Sequence, residues 1–253
     1  TIIYQMLSKN KIFINSIFPK FLNSLSAQIN FLSKNLSLFG QTNNFLLCEI
    51  TAMIFSSIVF EEFPSSKGYL KKSEVILEKE ILKQICDDGT SIENSTGYHR
   101  FVAELFILLV SIKKVSKSMT VKLDKILEGL MSSLISISGP DRDLPHIGDI
   151  SLERVFWFEE SSDITNINEI MNLSSYLLDN NEYRYHSKNK DNSIFWFFGV
   201  EAIKKNNQQK KVIPSKNSRI FINGGYAVMR NGWNDSSGFQ ASLDCGDVGL
   251  NGN

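Results

Sequence analysis

Hydrophobic residues recur at helical spacing through the first four-fifths of the chain. Leu22, Leu25, Ile29, Leu32 and Leu36 are separated alternately by three and by four residues. This spacing places the five side chains on one face of a helix, because an α-helix completes a turn about every 3.6 residues. The pattern predicts an amphipathic helix that packs against a neighbour by that face.

Further apolar segments follow, and short polar turns separate them. Five helices are predicted at residues 45–60, 70–85, 121–137, 164–178 and 194–203. Another, between the second and third of these, is capped by Ser95 or Thr96 and carries Phe101, Leu105, Leu108 and Leu109. The segment 45–60 is apolar on nearly all sides, which predicts an inner helix, and it is short for a membrane span. Antiparallel helix pairs fit this pattern in an open bundle, a solenoid or a closed α/α barrel alike.

The pattern changes after Pro214. Short runs of β-prone residues stand at 219–222, 226–229 and 239–243, and turns rich in glycine and asparagine separate them at 224–225 and 231–235. This arrangement predicts antiparallel strands joined as in hairpins.

These patterns predict a mainly α chain with two domains. We expect a helical domain at 1–205, a linker at 206–214 and the first strands of an antiparallel β domain at 215–253. The basic, polar stretch 204–211 supports the position of the linker.

The charge balance limits the classes of partner. The chain carries 27 basic and 27 acidic residues. A balanced chain has no overall field that attracts nucleic acid or an anionic membrane, so we expect neither as a partner and no membrane span. A polyanionic ligand would need a local site. The three cysteines are far apart and odd in number, which predicts neither a disulfide framework nor a metal-ligand cluster.

The ends of the chain read as internal positions of a longer protein. The chain begins with Thr-Ile-Ile-Tyr and ends in a loop-like stretch of glycine and asparagine. We therefore expect both ends to be cut, and a missing signal peptide says nothing about the compartment. The oligomeric state stays open.

Two amides precede the inner helix. Asn43 and Asn44 are placed to cap the helix that begins there, because asparagine accepts hydrogen bonds from the first backbone N–H groups. A side-chain amide can also donate a hydrogen bond to a carboxylate or a sugar hydroxyl. Both roles remain open on the residues alone.

A second candidate cluster is the polar run 88–100, which leads into an apolar helix. It contains Glu93, Tyr98, His99 and Arg100. Tyr98 and His99 are adjacent, so on a helix they point in different directions, and one can face a cleft while the other supports it. The alternative is a half-buried tyrosine hydroxyl beside a solvated histidine.

Two further groups could line a site. His146 and Asp149 stand in the loop 145–149, which fits either a binding loop or an ordinary Asx turn. Arg230 could pair with a carboxylate and Trp233 could stack on a sugar ring, although each residue alone is more often structural. Residues 244–253 carry aspartates and glycines that favour a plain turn over a metal site.

Taken in order, these motifs resemble the heparinase II/III-like polysaccharide lyases. The resemblance covers roughly residue 20 to the end and rests on Asn-Asn-Phe-Leu-Leu at 43–47, Asp-Gly at 88–89, Glu-Asn-Ser at 93–95, Tyr-His at 98–99, Pro-His-Ile-Gly-Asp at 145–149, Gly-Gly-Tyr-Ala-Val-Met-Arg at 224–230 and Asp-Cys-Gly at 244–246. It implies an incomplete (α/α) toroid packed on an antiparallel β-sandwich.

The resemblance also implies a reaction. Members cleave an acidic polysaccharide by β-elimination: the C5 proton of a uronic acid is removed and the C4–O bond breaks. Asn44 matches the residue that neutralises the uronate carboxylate. Tyr98 matches the general acid, which is also a candidate base, and His99 accompanies it.

The remaining candidates are implied as substrate-binding residues. They are Asn43, Glu93, Arg100, His146, Asp149, Arg230 and Trp233. Because a tyrosine that acts as base needs nearby positive charge, His146 or Arg100 is expected to supply it. No cofactor is expected to be required, and a structural divalent metal in the rest of the β domain fits the resemblance. Members suggest a periplasmic, envelope or secreted location in bacteria.

Two departures from the family pattern matter. Phe45 stands where members usually have histidine. The second catalytic histidine of the family lies in a Gly-His loop after Asp-x-Gly, beyond Asn253, so we expect the 253-residue chain to be inactive or nearly so.

Two other functions compete with the lyase. One is a non-catalytic protein on the same scaffold that binds glycans or takes part in surface-polysaccharide biosynthesis. The other is an α/α-barrel glycoside hydrolase that uses Glu93 and Asp149 as its two carboxylates.

Overall fold

The computed structural model describes residues 7–112, 117–149, 153–158, 165–187, 192–233 and 238–246, with the backbone alone at 117–121. The chain divides into two compact units, Thr1–Lys79 and Glu80–Asn253. Each unit is described by itself below.

Helices dominate the described residues. In chain order they are α1 (Phe18–Lys34), α2 (Asn44–Val59), α3 (Ser66–Gln84), α4 (Thr96–Ile112), α5 (Lys117–Ile137), α6 (Asn168–Leu178), α7 (Asn181–His186), α8 (Asn192–Phe198) and α9 (Val200–Gln208). No helix within the described ranges combines the length and apolar character that a membrane crossing needs.

The first unit confirms the predicted amphipathic stripe through Leu32, whereas Leu36 lies beyond the end of the helix at Lys34. A π-helical turn at Phe13–Ile17 leads into α1, and α1 packs against α2. Ile29 is buried on the inner face of α1, and Leu22, Leu25 and Leu32 are half-buried on the same face. Apolar spacing therefore located both the helix and its packed side.

The central helix of the second unit is α4. Twelve of its residues are buried, and it packs against α5 and α6. A helix that is apolar on most sides is stable only when neighbours cover those sides, and α5 and α6 do so here.

The segment 194–203, predicted as one helix, is two helices. Gly199 separates α8 from α9 with φ at 82°, in the left-handed region that only glycine adopts readily. The short helix α7 was not predicted, because its sequence Asn-Glu-Tyr-Arg-Tyr-His has no apolar repeat; the Asn180 side chain caps it. Helix α9 continues to Gln208, so part of the predicted linker is helical.

The predicted strands are confirmed. Strands β1 (Arg219–Phe221), β2 (Tyr226–Arg230) and β3 (Gln240–Asp244) form an antiparallel sheet in the order β1-β2-β3. Phe221, Tyr226 and Val228 face inward and pack against Ile137 at the end of α5, with Ile147 beside them. The sheet thus packs on the end of α5 and on the loop 145–149, which carries His146 and Asp149.

Candidate active site

The loop 145–149 is attached to the beginning of α4. Ser95 caps the helix by accepting a hydrogen bond from the Tyr98 N–H at 3.2 Å, and its hydroxyl donates to the backbone carbonyl of Asp149 at 2.7 Å. The Thr96 hydroxyl donates to the carbonyl of Pro145 at 2.7 Å, and the Thr96 N–H donates to that of Ile147 at 3.0 Å. The polar run 88–100 and the loop 145–149 therefore meet, although about fifty residues separate them in the chain.

Gly148 makes this close approach possible. Its φ is +68°, and a Cβ atom at this position would lie 2.5 Å from the carbonyl oxygen of Asn94. Any other residue would clash with the backbone of the neighbouring loop and adopt a strained conformation. Glycine is therefore required where the two loops touch.

Tyr98 lies on the first turn of α4, partly exposed. Its hydroxyl has no hydrogen-bond partner among the described residues. Burial raises the pKa of Tyr98, and the negative charges of Glu153, Asp149 and Glu93 raise it further. The phenol is therefore protonated at neutral pH, which suits a proton donor and disfavours a base.

The charge near Tyr98 is negative, whereas the sequence predicts positive charge from His146 or Arg100. The charged groups that act on its pKa are carboxylates, not Arg100 or His146. His146 is exposed on the loop 145–149. Glu93 and Asp149, two of the predicted substrate-binding residues, do lie near Tyr98, since both affect its pKa.

His99 is in the interior. It is 3% exposed, and its Nε2 lies 3.2 Å from the carbonyl oxygen of Leu130 and 3.1 Å from Oγ of Ser133, both on α5. Because a carbonyl only accepts, this geometry assigns the proton to Nε2. Burial lowers the pKa of His99 to about 4, so the ring is neutral. His99 thus links α4 to α5.

Arg100 is also buried, in an ion network rather than on a binding surface. Its Nη2 donates to the Glu153 carbonyl at 2.7 Å, and its Nε lies 3.6 Å from Glu104. Glu104 accepts a hydrogen bond from the Val155 N–H at 2.7 Å, and Arg154 lies 3.9 Å from it. Burial raises the pKa of Glu104 to about 7. The network holds residues 153–155 against α4 and so places Glu153 beside Tyr98.

The two amides at the start of α2 have different surroundings. Asn43 is the cap: its side chain accepts a hydrogen bond from the Phe45 N–H at 3.2 Å. Asn44 is the first residue of the helix and is 3% exposed, whereas Phe45 is 61% exposed. The capping role therefore belongs to Asn43.

Arg230 and Trp233 form a separate group. The Arg230 Nη2 donates to the carbonyls of Ser136 and Ser138 at 2.7 and 3.0 Å, and its guanidinium lies 3.6 Å from the centre of the Trp233 ring. Burial lowers the pKa of Arg230 to about 10. These contacts attach β2 to the end of α5, which is a structural role that the sequence also allowed.

Asp88, which the sequence presents only within the family motif Asp-Gly, joins the helices to the sheet. Its carboxylate accepts hydrogen bonds from the backbone N–H groups of Asn223 at 2.7 Å and Gly224 at 3.3 Å. Burial acts to raise the pKa of Asp88, but the hydrogen bonds from Thr90, Asn223 and Gly224 lower it overall.

Among the described residues, no three histidine, cysteine or acidic side chains are grouped to hold a metal ion.

Known proteins are similar to this chain in sequence and in fold. The family described as heparinase II/III N-terminus matches residues 1–185. A heparin-sulfate lyase of Pedobacter heparinus is 29% identical over 149 residues, covering 58% of this chain and 22% of that protein. A heparin-sulfate lyase of Bacteroides stercoris is 24% identical over 203 residues, covering 78% of this chain and 26% of that protein. The chain thus spans about a quarter of the length of these relatives.

Solved structures agree with the helical architecture. A heparinase III gene product covers 98% of this chain at 20% identity with a TM-score of 0.67, and heparan sulfate lyase HepC of Pedobacter heparinus covers 95% at 22% identity with a TM-score of 0.61. In both cases the matched part is 34% of the solved chain. Identity this low shows the fold alone, which is the predicted one: an incomplete (α/α) toroid followed by antiparallel strands. Because the family match covers most of its length, the chain belongs to the heparinase II/III N-terminus family.

Proposed function

We propose that the full-length protein is a polysaccharide lyase that cleaves a uronic-acid-containing polymer by β-elimination, with Tyr98 as its proton donor. The observation that carries the proposal is the partly exposed Tyr98 hydroxyl, which has a raised pKa and stands where two loops meet on the first turn of α4. Membership of the heparinase II/III N-terminus family supports the lyase class.

The chemistry of β-elimination asks for such a group. When the C4–O bond breaks, the leaving oxygen takes a proton, and a phenol that stays protonated at working pH can supply it. The same raised pKa argues that Tyr98 does not remove the C5 proton, so a different group acts as base. The proton transfers as proposed involve side chains only and call for no cofactor.

Asn44 is the proposed group for the uronate carboxylate. Removal of the C5 proton develops enolate-like charge on that carboxylate, and a fixed amide N–H donor stabilises the charge where it develops. The uncharged Asn44 amide can donate a hydrogen bond to the uronate carboxylate without forming an ion pair. The role of Asn44 is assigned from the family motif.

The carboxylates around Tyr98 limit which part of the substrate lies there. Glu93, Asp149 and Glu153 raise the pKa of Tyr98, so they create negative potential at its hydroxyl. A sulfate group would be repelled, whereas sugar hydroxyls can donate hydrogen bonds to carboxylates. We therefore assign Glu93 and Asp149 to binding of sugar hydroxyls.

One observation favours a second candidate function. Phe45 places a 61% exposed ring at the position where members of the family usually have histidine. This loss of a polar contact fits a protein on the same scaffold that binds glycans without cleaving them. Binding of a uronate polymer without formation of unsaturated product would favour it.

The test is Tyr98→Phe in the full-length protein, assayed by the ultraviolet absorbance of unsaturated uronate products. Loss of a general acid typically lowers the rate roughly 10²- to 10⁴-fold. The matched control is Tyr176→Phe, because Tyr176 packs its ring against Phe198 on a different part of the unit. An unchanged rate in Tyr98→Phe would remove Tyr98 from the mechanism.

The 253-residue chain by itself is proposed to have little lyase activity. It contains three histidines, and His99 and His186 are 3% and 4% exposed. A purified chain that released product as fast as the full-length protein would contradict this proposal.

A further inference from the structure

A cavity of ≈ 210 Å³ opens between α5, α7 and the chain that leads into β1. Its polar lining includes Ser132, Ser136, Glu182, His186, Lys216 and Arg219. One water occupies roughly 30 Å³ in the liquid, so the cavity has room for a group of many atoms. None of the residues around the Tyr98 hydroxyl, Glu93, Asp149 and Glu153, lines this cavity.

Cations outnumber carboxylates in this lining. Lys216 and Arg219 face one carboxylate, Glu182, which accepts a hydrogen bond from the Ser215 N–H at 3.4 Å. No carboxylate of the described residues lies within ion-pair distance of Lys216 or Arg219. The cavity therefore has surplus positive charge.

Arg219 is held in a fixed orientation. Its Nη1 donates to Ser132, both to the hydroxyl and to the carbonyl oxygen, the latter at 3.4 Å. Its guanidinium also lies 4.7 Å from the centre of the Phe221 ring. A guanidinium that neighbours hold in place can bind a sulfate or carboxylate group through two parallel hydrogen bonds with little loss of entropy.

His186 adds a buried polar atom without a partner. The residue is 4% exposed, and its Nε2 has no hydrogen-bond partner among the described residues. Burial and the charges of Arg142 and Arg230 lower the pKa of His186 to about 3, so the ring is neutral. An unpartnered buried nitrogen is unfavourable unless something bonds to it. His186 lines both this cavity and a smaller one beside Arg142 and Arg230.

We propose that this cavity is a second polysaccharide subsite, which binds an anionic group of the polymer, a sulfate ester or a uronate carboxylate, through Lys216 and Arg219. The proposal rests on the proposed function for the identity of the ligand. The subsite would complement the surface near Tyr98. That surface is acidic and suits sugar hydroxyls, whereas the anionic groups of the polysaccharide need cations elsewhere.

The experiment measures binding of a size-defined sulfated heparin oligosaccharide to the 253-residue chain by calorimetry at fixed salt. Lys216→Gln and Arg219→Gln are each expected to weaken binding roughly tenfold, the effect of losing one charge-assisted hydrogen bond of ordinary strength. Arg219→Lys, which keeps the charge, is expected to recover part of the affinity. Lys204→Gln is the matched control, because it removes an equal charge from an exposed position on α9.

Three outcomes would overturn the subsite. Equal weakening by Lys216→Gln and Lys204→Gln would indicate unspecific charge attraction. Affinity for inorganic sulfate equal to that for the oligosaccharide would indicate a site for free anions. Undiminished binding in Lys216→Gln, an exposed residue whose replacement does not threaten the fold, would exclude the cavity. Lys216→Gln is judged by binding and Tyr98→Phe by product formation, so a failed lyase mechanism remains distinguishable from a failed subsite.

Discussion

Acid is expected to destabilise the second unit through His99. Burial lowers the pKa of His99 from 6.5 to about 4, whereas the unfolded chain keeps the ordinary value. As pH falls below 6.5, His99 binds a proton in the unfolded chain but stays neutral in the folded chain. The free energy of unfolding therefore decreases. One pKa unit corresponds to about 1.4 kcal/mol, so His99 alone removes about 3 kcal/mol between pH 6.5 and pH 4.

Other buried groups act over the same range, so the comparison must isolate His99. His186, with a pKa lowered to about 3, acts in the same direction. Glu104 acts oppositely, because its raised pKa lets the folded chain hold a proton that the unfolded chain has lost. The measured quantity is therefore the difference between the chain and its His99→Gln variant, which retains a side-chain N–H donor for the Leu130 carbonyl.

The assay is urea unfolding followed by tryptophan fluorescence at several pH values from 7 to 4. All three tryptophans, Trp157, Trp196 and Trp233, belong to the second unit, so the signal reports on the unit that contains His99. His99→Gln is expected to lose stability at pH 7 and to show a smaller loss on acidification. The matched control His146→Gln removes an exposed imidazole and is expected to leave the acid-side loss in place. Identical pH dependence in His99→Gln and the unchanged chain would refute the reasoning.

Two further predictions concern the contacts that position Tyr98. Gly148→Ala should destabilise the second unit by about 1–3 kcal/mol, because the new Cβ meets the carbonyl oxygen of Asn94 at 2.5 Å in a left-handed conformation; the control Gly232→Ala, with no atom within 4 Å, should have little effect on the urea midpoint. Glu104→Gln should make the loss of stability on acidification from pH 7 to 4.5 steeper than in the unchanged chain, because the folded Glu104 carboxyl takes up a proton over that range and offsets part of the histidine effect. An equal slope in the variant and the unchanged chain would exclude Glu104 as the offsetting group.

Local pattern predicted the elements well where tertiary contacts agree with it. The stripe of α1, the start of α4 at Ser95 and the three strands follow from spacing and capping alone. Pattern failed at residues 194–203, because apolar continuity across Gly199 resembles one helix. The left-handed backbone conformation of Gly199 ends the first helix there and separates it from the second.

The site was predicted less fully, for two physical reasons. Adjacent helix residues point in different directions, and the sequence does not say that His99 is the one that faces α5. Arg100 carried a signal that could have been used: Glu104 stands four residues further along an apolar helix, which is the spacing of a buried ion pair. The meeting of Tyr98 with the loop 145–149 depends on contacts between distant segments, which periodicity does not encode.

The central proposal is that the full-length protein breaks the C4–O bond by elimination, without adding water. The most direct measurement is the mass of the products formed from a uronate polymer in water enriched in heavy oxygen. Elimination predicts unsaturated ends that absorb ultraviolet light and carry no heavy oxygen. Products that carry one heavy oxygen at each cleavage and lack the unsaturated absorbance would contradict the claim and favour hydrolysis by the carboxylates Glu93 and Asp149 instead.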